Sequence, residues 1–306
     1  MSYTGPGFDP PQQRRFRRAP LAVGLAALVP GALLGWVLYE GVGKPGGSGA
    51  GQAGAAVPES AAAAPSDDAK VPGASPSASA ARPLRGKVVV IDPGHNPGNF
   101  QHTSEINQKV NIGTNWKECD TTGTSTNAGY TEARFTLDVA HRLRTLLERQ
   151  GATVKFTHDG DRPAWGPCVN KRAEIGNAAH ADAAISIHAD GAPEGDRGFH
   201  VILPASVHSG AADTRPILAS SRALGERVES DFARVTGSAP SNYVGNGTGL
   251  DVRKDLGGLN LSTVPKVFIE CGNMRDSKDA ALLTSGAWRQ KAAQGISEGI
   301  VSFLRG

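Results

Sequence analysis

From residue 87 onward, short runs rich in Val and Ile alternate with longer stretches of helical period, and this order constrains the fold more than any other feature. The runs are "KVVVI" (87–91), "ATVKF" (152–156), "AAISI" (183–187), "GFHVI" (198–202) and "KVFI" (266–269). Each is short, apolar and β-branched, the composition of a strand buried on both faces. Between them, Ala133, Leu137, Ala140, Leu143 and Leu147 recur at helical spacing over 131–151, with Thr131 placed to N-cap and Gly151 to terminate. A helix starts within 168–180. Leu224, Val228 and Phe232 mark another, and Trp288, Ala292, Ile296 and Ile300 a last one. Strands that alternate with helices predict an α/β fold with a mainly parallel sheet.

Such open sheets bind ligands outside the carboxyl ends of their strands. His95 lies four residues past the strand 87–91, while His188 and Glu270 directly follow the strands 183–187 and 266–269. Glu132 sits in the first turn of the helix entered from the first long loop. Parallel strands would gather all four at one edge. Two imidazoles and a carboxylate form a usual ligand set for a catalytic zinc with an open position, which polarises a carbonyl and activates water. A second carboxylate is then required to move the proton from water to the leaving nitrogen. Any one of these residues alone is more often structural, and no H-E-x-x-H or C-x-x-C spacing is present, so the reading rests on their convergence.

The rest of the chain bounds the setting. Residues 40–82 are dominated by Gly, Ala, Pro and Ser and bury too little apolar surface to fold, so they read as a disordered linker. Upstream, "LAVGLAALVPGALLGWVLY" (21–39) is 19 uncharged residues, about 28 Å as a helix at ~1.5 Å per residue, close to the thickness of a bilayer core. Arg14, Arg15, Arg17 and Arg18 precede it. Residues 1–20 are therefore expected in the cytoplasm, 21–39 as a transmembrane signal anchor, and 83–306 as a single catalytic domain outside the cell membrane. A cleaved signal peptide, giving a secreted protein, is the competing reading. Export permits disulfides. Of the three cysteines, Cys119 and Cys168 lie in loop-like stretches and are expected to pair, leaving Cys271, after a strand, as a buried thiol. The formal charge of +3 and the lack of a basic stripe argue against a nucleic-acid partner.

Four segments carry a family resemblance: "VVVIDPGHNPG", "GYTEARFTLDVAHRLRTLLERQGATVKFTHDGD", "KRAEIGNAAHADAAISIHAD" and "VPKVFIECGN". In this order, over about 86–304, they resemble the zinc-dependent N-acetylmuramoyl-L-alanine amidases of bacterial peptidoglycan, and the anchored arrangement resembles actinobacterial members. The resemblance implies a three-layer fold, a twisted sheet with helices on both faces and the metal site at the carboxyl ends of the strands. It also implies one zinc ion on His95, Glu132 and His188, with Glu270 as the catalytic glutamate. The sequence departs from the pattern at "NPGN", at Asp190 and at Asn273, which touches substrate contacts and none of the four core positions. Asn111 and Trp116 in the long 96–131 segment, together with Asp190 and Arg253, are the candidate contacts to a muropeptide. That segment, filling the gap between two ligands, is expected to act as a lid or binding loop. The rival readings are a zinc peptidase acting on stem peptides and an inactive wall-binding or regulatory domain. A regulatory protein partner is left open.

Overall fold

The computed structural model describes residues 82–306. The expected cytoplasmic segment, the anchor 21–39 and nearly all of the linker lie outside the described residues. Among those described, no helix is long and apolar enough to cross a membrane.

In chain order the elements are β1 (Val88–Pro93), α1 (Thr103–Ile106), β2 (Lys109–Asn111), β3 (Trp116–Glu118), α2 (Glu132–Arg149), β4 (Thr153–Phe156), α3 (Val169–Ala178) and β5 (Ala183–Asp190). They continue with β6 (His200–Pro204), β7 (His208–Ser209), β8 (Ala212–Asp213), α4 (Leu218–Thr236), β9 (Leu250–Arg253), α5 (Gly257–Asn260), β10 (Lys266–Asn273), α6 (Ser277–Leu283) and α7 (Gly286–Arg305). Six strands form one sheet in the order β4-β1-β5-β10-β6-β9. β4, β1, β5 and β10 run parallel, as the strand–helix alternation requires. β6 pairs antiparallel with β10, and β9 parallel with β6, so the sheet is mixed at one side. β9, "LDVR", carries no apolar run and is not read as a strand from the sequence.

The period of two along the strands sorts the side chains into two unlike faces. Val89 and Ile91, Ile185 and Ile187, Val201 and Leu203, and Val267 and Ile269 join one continuous core. That core takes its other half from Phe135, Val139, Leu143 and Leu147 of α2, from Leu224, Val228 and Phe232 of α4, and from Trp288, Ile296 and Ile300 of α7. The opposite face holds two small clusters, Val90 with Ala184 and Val264, and Ile202 with Leu259 and Phe268. Its remaining positions are polar: Asp92, Ser186, His188, Lys266, Glu270 and His200. Helices α3 and α5 lie on this side, which completes three layers.

Three local expectations are revised. His188 and Glu270 lie inside β5 and β10, which run on to Asp190 and Asn273 with a register irregularity between Glu270 and Asn273. The sheet therefore offers them from a face near its carboxyl end, not from loops beyond it. Thr131 occupies the N-cap of α2 in extended conformation, but its side chain makes no capping bond. The 96–131 segment is no featureless loop. It contains α1 and the β2–β3 hairpin, and it closes on a bridge between Ser125 and Thr131.

Candidate metal centre

Strand β1 ends at Pro93, and the chain turns sharply through Gly94 into His95, whose φ of 58° lies in the left-handed region. Only glycine fits before it. A Cβ on Gly94 would sit 2.4 Å from His188 Cε1 and 2.7 Å from the Ile187 carbonyl. The Gly94 amide donates to that carbonyl (2.8 Å), and the Thr136 hydroxyl on α2 donates to the Gly94 carbonyl (2.6 Å), so the turn is fixed from both sides. Gly123 makes a second close approach, with φ of 71° and a Cβ position 2.7 Å from His95 Cδ2 and 2.8 Å from Glu132 Oε2.

Helix α2 begins at Glu132 and brings its carboxylate between the two imidazoles. Oε2 lies 3.3 Å from His95 Nε2, and Oε1 lies 2.9 Å from His188 Nδ1. The Thr124 amide donates to Oε2 (2.9 Å) and the Ala189 amide to Oε1 (3.2 Å). One ligand atom from each of His95, Glu132 and His188 can be chosen so that all three lie within 4.8 Å of one another. Burial by itself would raise the Glu132 carboxyl, but the neighbouring His95 and His188 rings hold it well below the usual carboxylate range. Two imidazole nitrogens and an ionised carboxylate in a largely dry site match the donor set of zinc. The His188 ring is further held by stacking on Phe268, 5.3 Å between centroids.

Glu270 faces His188 across the β5–β10 ladder. Its Oε2 is shielded from solvent and has no hydrogen-bond partner. Burial first, and then the Glu132 and Asp190 carboxylates, push its carboxyl well above the usual range, against the pull of His95 and Arg253. A carboxyl with a raised affinity for protons and a free oxygen is suited to proton transfer.

The candidate substrate contacts separate into two kinds. Asp190 stands on the same face of β5 as His188 and accepts a hydrogen bond from the Tyr243 hydroxyl (2.8 Å), a residue the sequence reading missed. Arg253 on β9 forks onto Asp255 (2.8 and 2.7 Å), which also receives Lys117 Nζ (3.2 Å). Asn111 and Trp116 sit on the β2–β3 hairpin, where Asn111 Oδ1 accepts from the Gly113 amide and the Trp116 ring is 63 % exposed. A cavity of about 230 Å³ opens beside the two histidines and is lined by Lys117, Glu118, Leu256 and Phe268, but by neither Asn111 nor Trp116. A larger cavity, about 410 Å³, is lined by Arg197, Asn242 and Trp288 and by none of the groups of this site.

Cys119 and Cys168 are joined, and Cys271 is buried and free, as the sequence predicts. Sequence reasoning missed the charged groups beneath the site. Asp92, Asp120, Arg172 and Lys266 are all buried and paired with one another. A signal for two of them, Asp92 and Lys266, was present in the charges of "IDPGH" and "PKVFI", since a charge in an apolar strand needs a buried partner.

The N-acetylmuramoyl-L-alanine amidase family profile, Amidase_3, matches residues 89–302. The chain is 39% identical over 222 residues to N-acetylmuramoyl-L-alanine amidase Rv3717 of Mycobacterium tuberculosis, covering 72% of this chain and 88% of that protein. Among solved structures, it is similar to the N-acetylmuramyl-L-alanine amidase Ami1 from Mycobacterium smegmatis, with a TM-score of 0.66 and 38% identity, covering 72% of this chain and 98% of that one. The apo form of Ami1 from Mycobacterium abscessus gives a TM-score of 0.65 and 40% identity, covering 72% and 100%.

Proposed function

The chain belongs to the N-acetylmuramoyl-L-alanine amidase family, hydrolases of the amide between N-acetylmuramic acid and the L-alanine of the peptidoglycan stem peptide, and from that premise we propose that its cofactor is a single zinc ion held by His95, Glu132 and His188. When bound, zinc supplies a Lewis acid that polarises the scissile carbonyl and lowers the pKa of water. Glu270 takes the proton of the attacking water and returns it to the departing alanine nitrogen, which needs a carboxyl basic enough to receive it and free enough to reorient. The observation that carries this reading is the convergence of three side chains able to hold a metal beside a carboxyl whose shielded Oε2 has no partner. Binding alone would need no such carboxyl, which favours an enzyme over an inactive wall-binding domain.

Metal analysis of the purified full chain, with mass spectrometry of a digested muropeptide, tests it. Stoichiometric zinc is expected, with an intact peptide and a sugar that keeps its lactyl ether. Cleavage inside the peptide would instead assign a zinc peptidase, and zinc uptake without turnover a wall-binding domain.

For location, the arginine cluster before 21–39, together with a disulfide in the catalytic domain, supports an anchored protein with that domain outside the membrane. Fractionation checks this. Native protein released into the medium and beginning near residue 45 would replace the anchor with a cleaved signal.

A further inference from the structure

We propose that Asp120 and Arg172 are positioning residues for His95, locked against each other by the Cys119–Cys168 crosslink. The inference rests on the reading of His95 as a zinc ligand. His95 turns Nε2 toward Glu132 and Nδ1 away from it. To give the Nε2 lone pair to a metal, the ring must carry its proton on Nδ1, and the acceptor there fixes both tautomer and orientation. The acceptors at Nδ1 are Asp120 Oδ1 (3.2 Å) and the Thr121 carbonyl (3.1 Å) and hydroxyl (3.2 Å). Asp120 is the charged one, and it is 5% exposed.

The second oxygen of Asp120 belongs to Arg172, which is equally buried and uses its whole donor fork. Nη2 donates to Asp120 Oδ2 (2.8 Å) and toward the Gly166 carbonyl (3.4 Å). Nη1 donates to Asp92 Oδ1 (2.8 Å) and the Pro93 carbonyl (2.6 Å), and Nε to the Pro167 carbonyl (2.8 Å). One guanidinium thus ties the end of β1, two residues before His95, to the carboxylate that holds the His95 ring. An ammonium group could not reach these acceptors in one plane. Asp92 is fixed in turn by Thr157 (2.7 Å), Ser186 (2.5 Å) and Lys266 (3.1 Å). The chain of contacts therefore starts just past β4 and in β5 and β10, and ends at His95.

The crosslink holds the same pair. Cys119 immediately precedes Asp120. Cys168 caps α3, and its carbonyl accepts the Arg172 amide (3.0 Å), while the Val169 amide donates to the Cys119 carbonyl (2.8 Å). Such a hold is needed because His95 occupies a left-handed backbone conformation that an isolated chain disfavours.

The test is zinc affinity of the full-length chain, measured by competition with a chromogenic chelator, and separately its thermal midpoint. Asp120→Asn and Arg172→Lys should each weaken zinc binding roughly 10–100-fold, and the Cys119→Ser/Cys168→Ser pair should weaken it in the same direction. Folded variants that keep wild-type affinity and lose only thermal stability would overturn the positioning role, and an unchanged affinity in the cysteine pair would remove the crosslink from it. Where a variant does not fold, the ¹⁵N-histidine spectrum of zinc-loaded wild type decides. It must show His95 protonated at Nδ1 and ligated through Nε2, and the reverse tautomer overturns the proposal. Wild-type protein that takes up no zinc defeats the zinc reading itself, an outcome separate from any difference between variants.

Discussion

Glu270 lies directly opposite His188 on neighbouring parallel strands, so an unpartnered carboxyl and an imidazole held by Glu132 rise side by side from one face of the sheet. The opposite face of both strands is pure core: Ile187 beside His188 and Ile269 beside Glu270 are fully buried among α2, α4 and α7. The apolar face supplies rigidity, and the polar face uses it to keep reactive groups at fixed separation.

Glu270→Gln keeps the shape of the side chain and removes its capacity to accept a proton. Zinc uptake should persist while turnover on muropeptides falls by ~10²–10⁴, the usual worth of general acid–base assistance. Metal analysis and kcat measured on the same preparation check this. A loss below tenfold would take the role away from Glu270.

Much of this site was legible in the sequence because its four central residues lie in, or just past, strands and a helix whose periodicity is strong. "VVVI", "AAISI" and "KVFI" fix three strands, and α/β topology then brings their ends together. The strand limits were less legible, since apolar character stops at His188 and Glu270 while the backbone ladder continues. β9 escaped notice because its pairing with β6 depends on tertiary context and not on its own four residues. The partners of Asp92 were equally hidden: Asp120 and Arg172 are far from it and from each other in the chain, and each alone resembles a surface charge. Asn111 and Trp116 recommend themselves only by lying in the long segment between ligands, and the cavity beside the histidines is lined by their hairpin neighbours Lys117 and Glu118.

Gly94 is irreplaceable for a steric reason. Gly94→Ala would drive its methyl into the His188 ring and the Ile187 carbonyl together, and the second is backbone that cannot swing aside. The shift falls on two ligands at once. Zinc affinity and activity should both drop at least ~10-fold, as for other changes that disorient a ligand, with the far-ultraviolet dichroism retained. Isothermal titration of the variant with zinc measures it, and wild-type affinity would mean that the turn has slack.

The crosslink closes 49 positions of chain. The chain-entropy account gives such a loop about 4 kcal/mol, with strain in the native state lowering what is realised. Cys119→Ser/Cys168→Ser should therefore unfold at clearly lower urea concentration. Thiol titration of denatured, unreduced wild type should find one reactive group, Cys271. Three would show that the bridge does not form in the isolated protein.

Acid should weaken the fold through His158. The ring is 2% exposed, its Nε2 donates to the Pro93 carbonyl (2.8 Å), and its Nδ1 has no partner. Burial, reinforced by the nearby Arg172 guanidinium, lowers its pKa to about 4 despite the opposing pull of Pro93, Asp92 and Asp120. An unfolded chain would titrate this histidine near ~6.5. Between those two values the unfolded state binds the extra proton, so stability rises with pH across the window and falls as pH drops from about 6.5 to about 4. At ~1.4 kcal/mol per pH unit, the full effect is about 3 kcal/mol. His158→Gln keeps a donor for Pro93 and cannot take up the proton. Urea unfolding of wild type and variant, both stripped of metal so that the ligand histidines contribute equally, should show a wild-type stability that declines more steeply from pH 6.5 to 4.5. Parallel curves would mean that His158 takes up its proton at the same pH folded and unfolded, so that the Pro93 carbonyl and the two aspartates offset its burial.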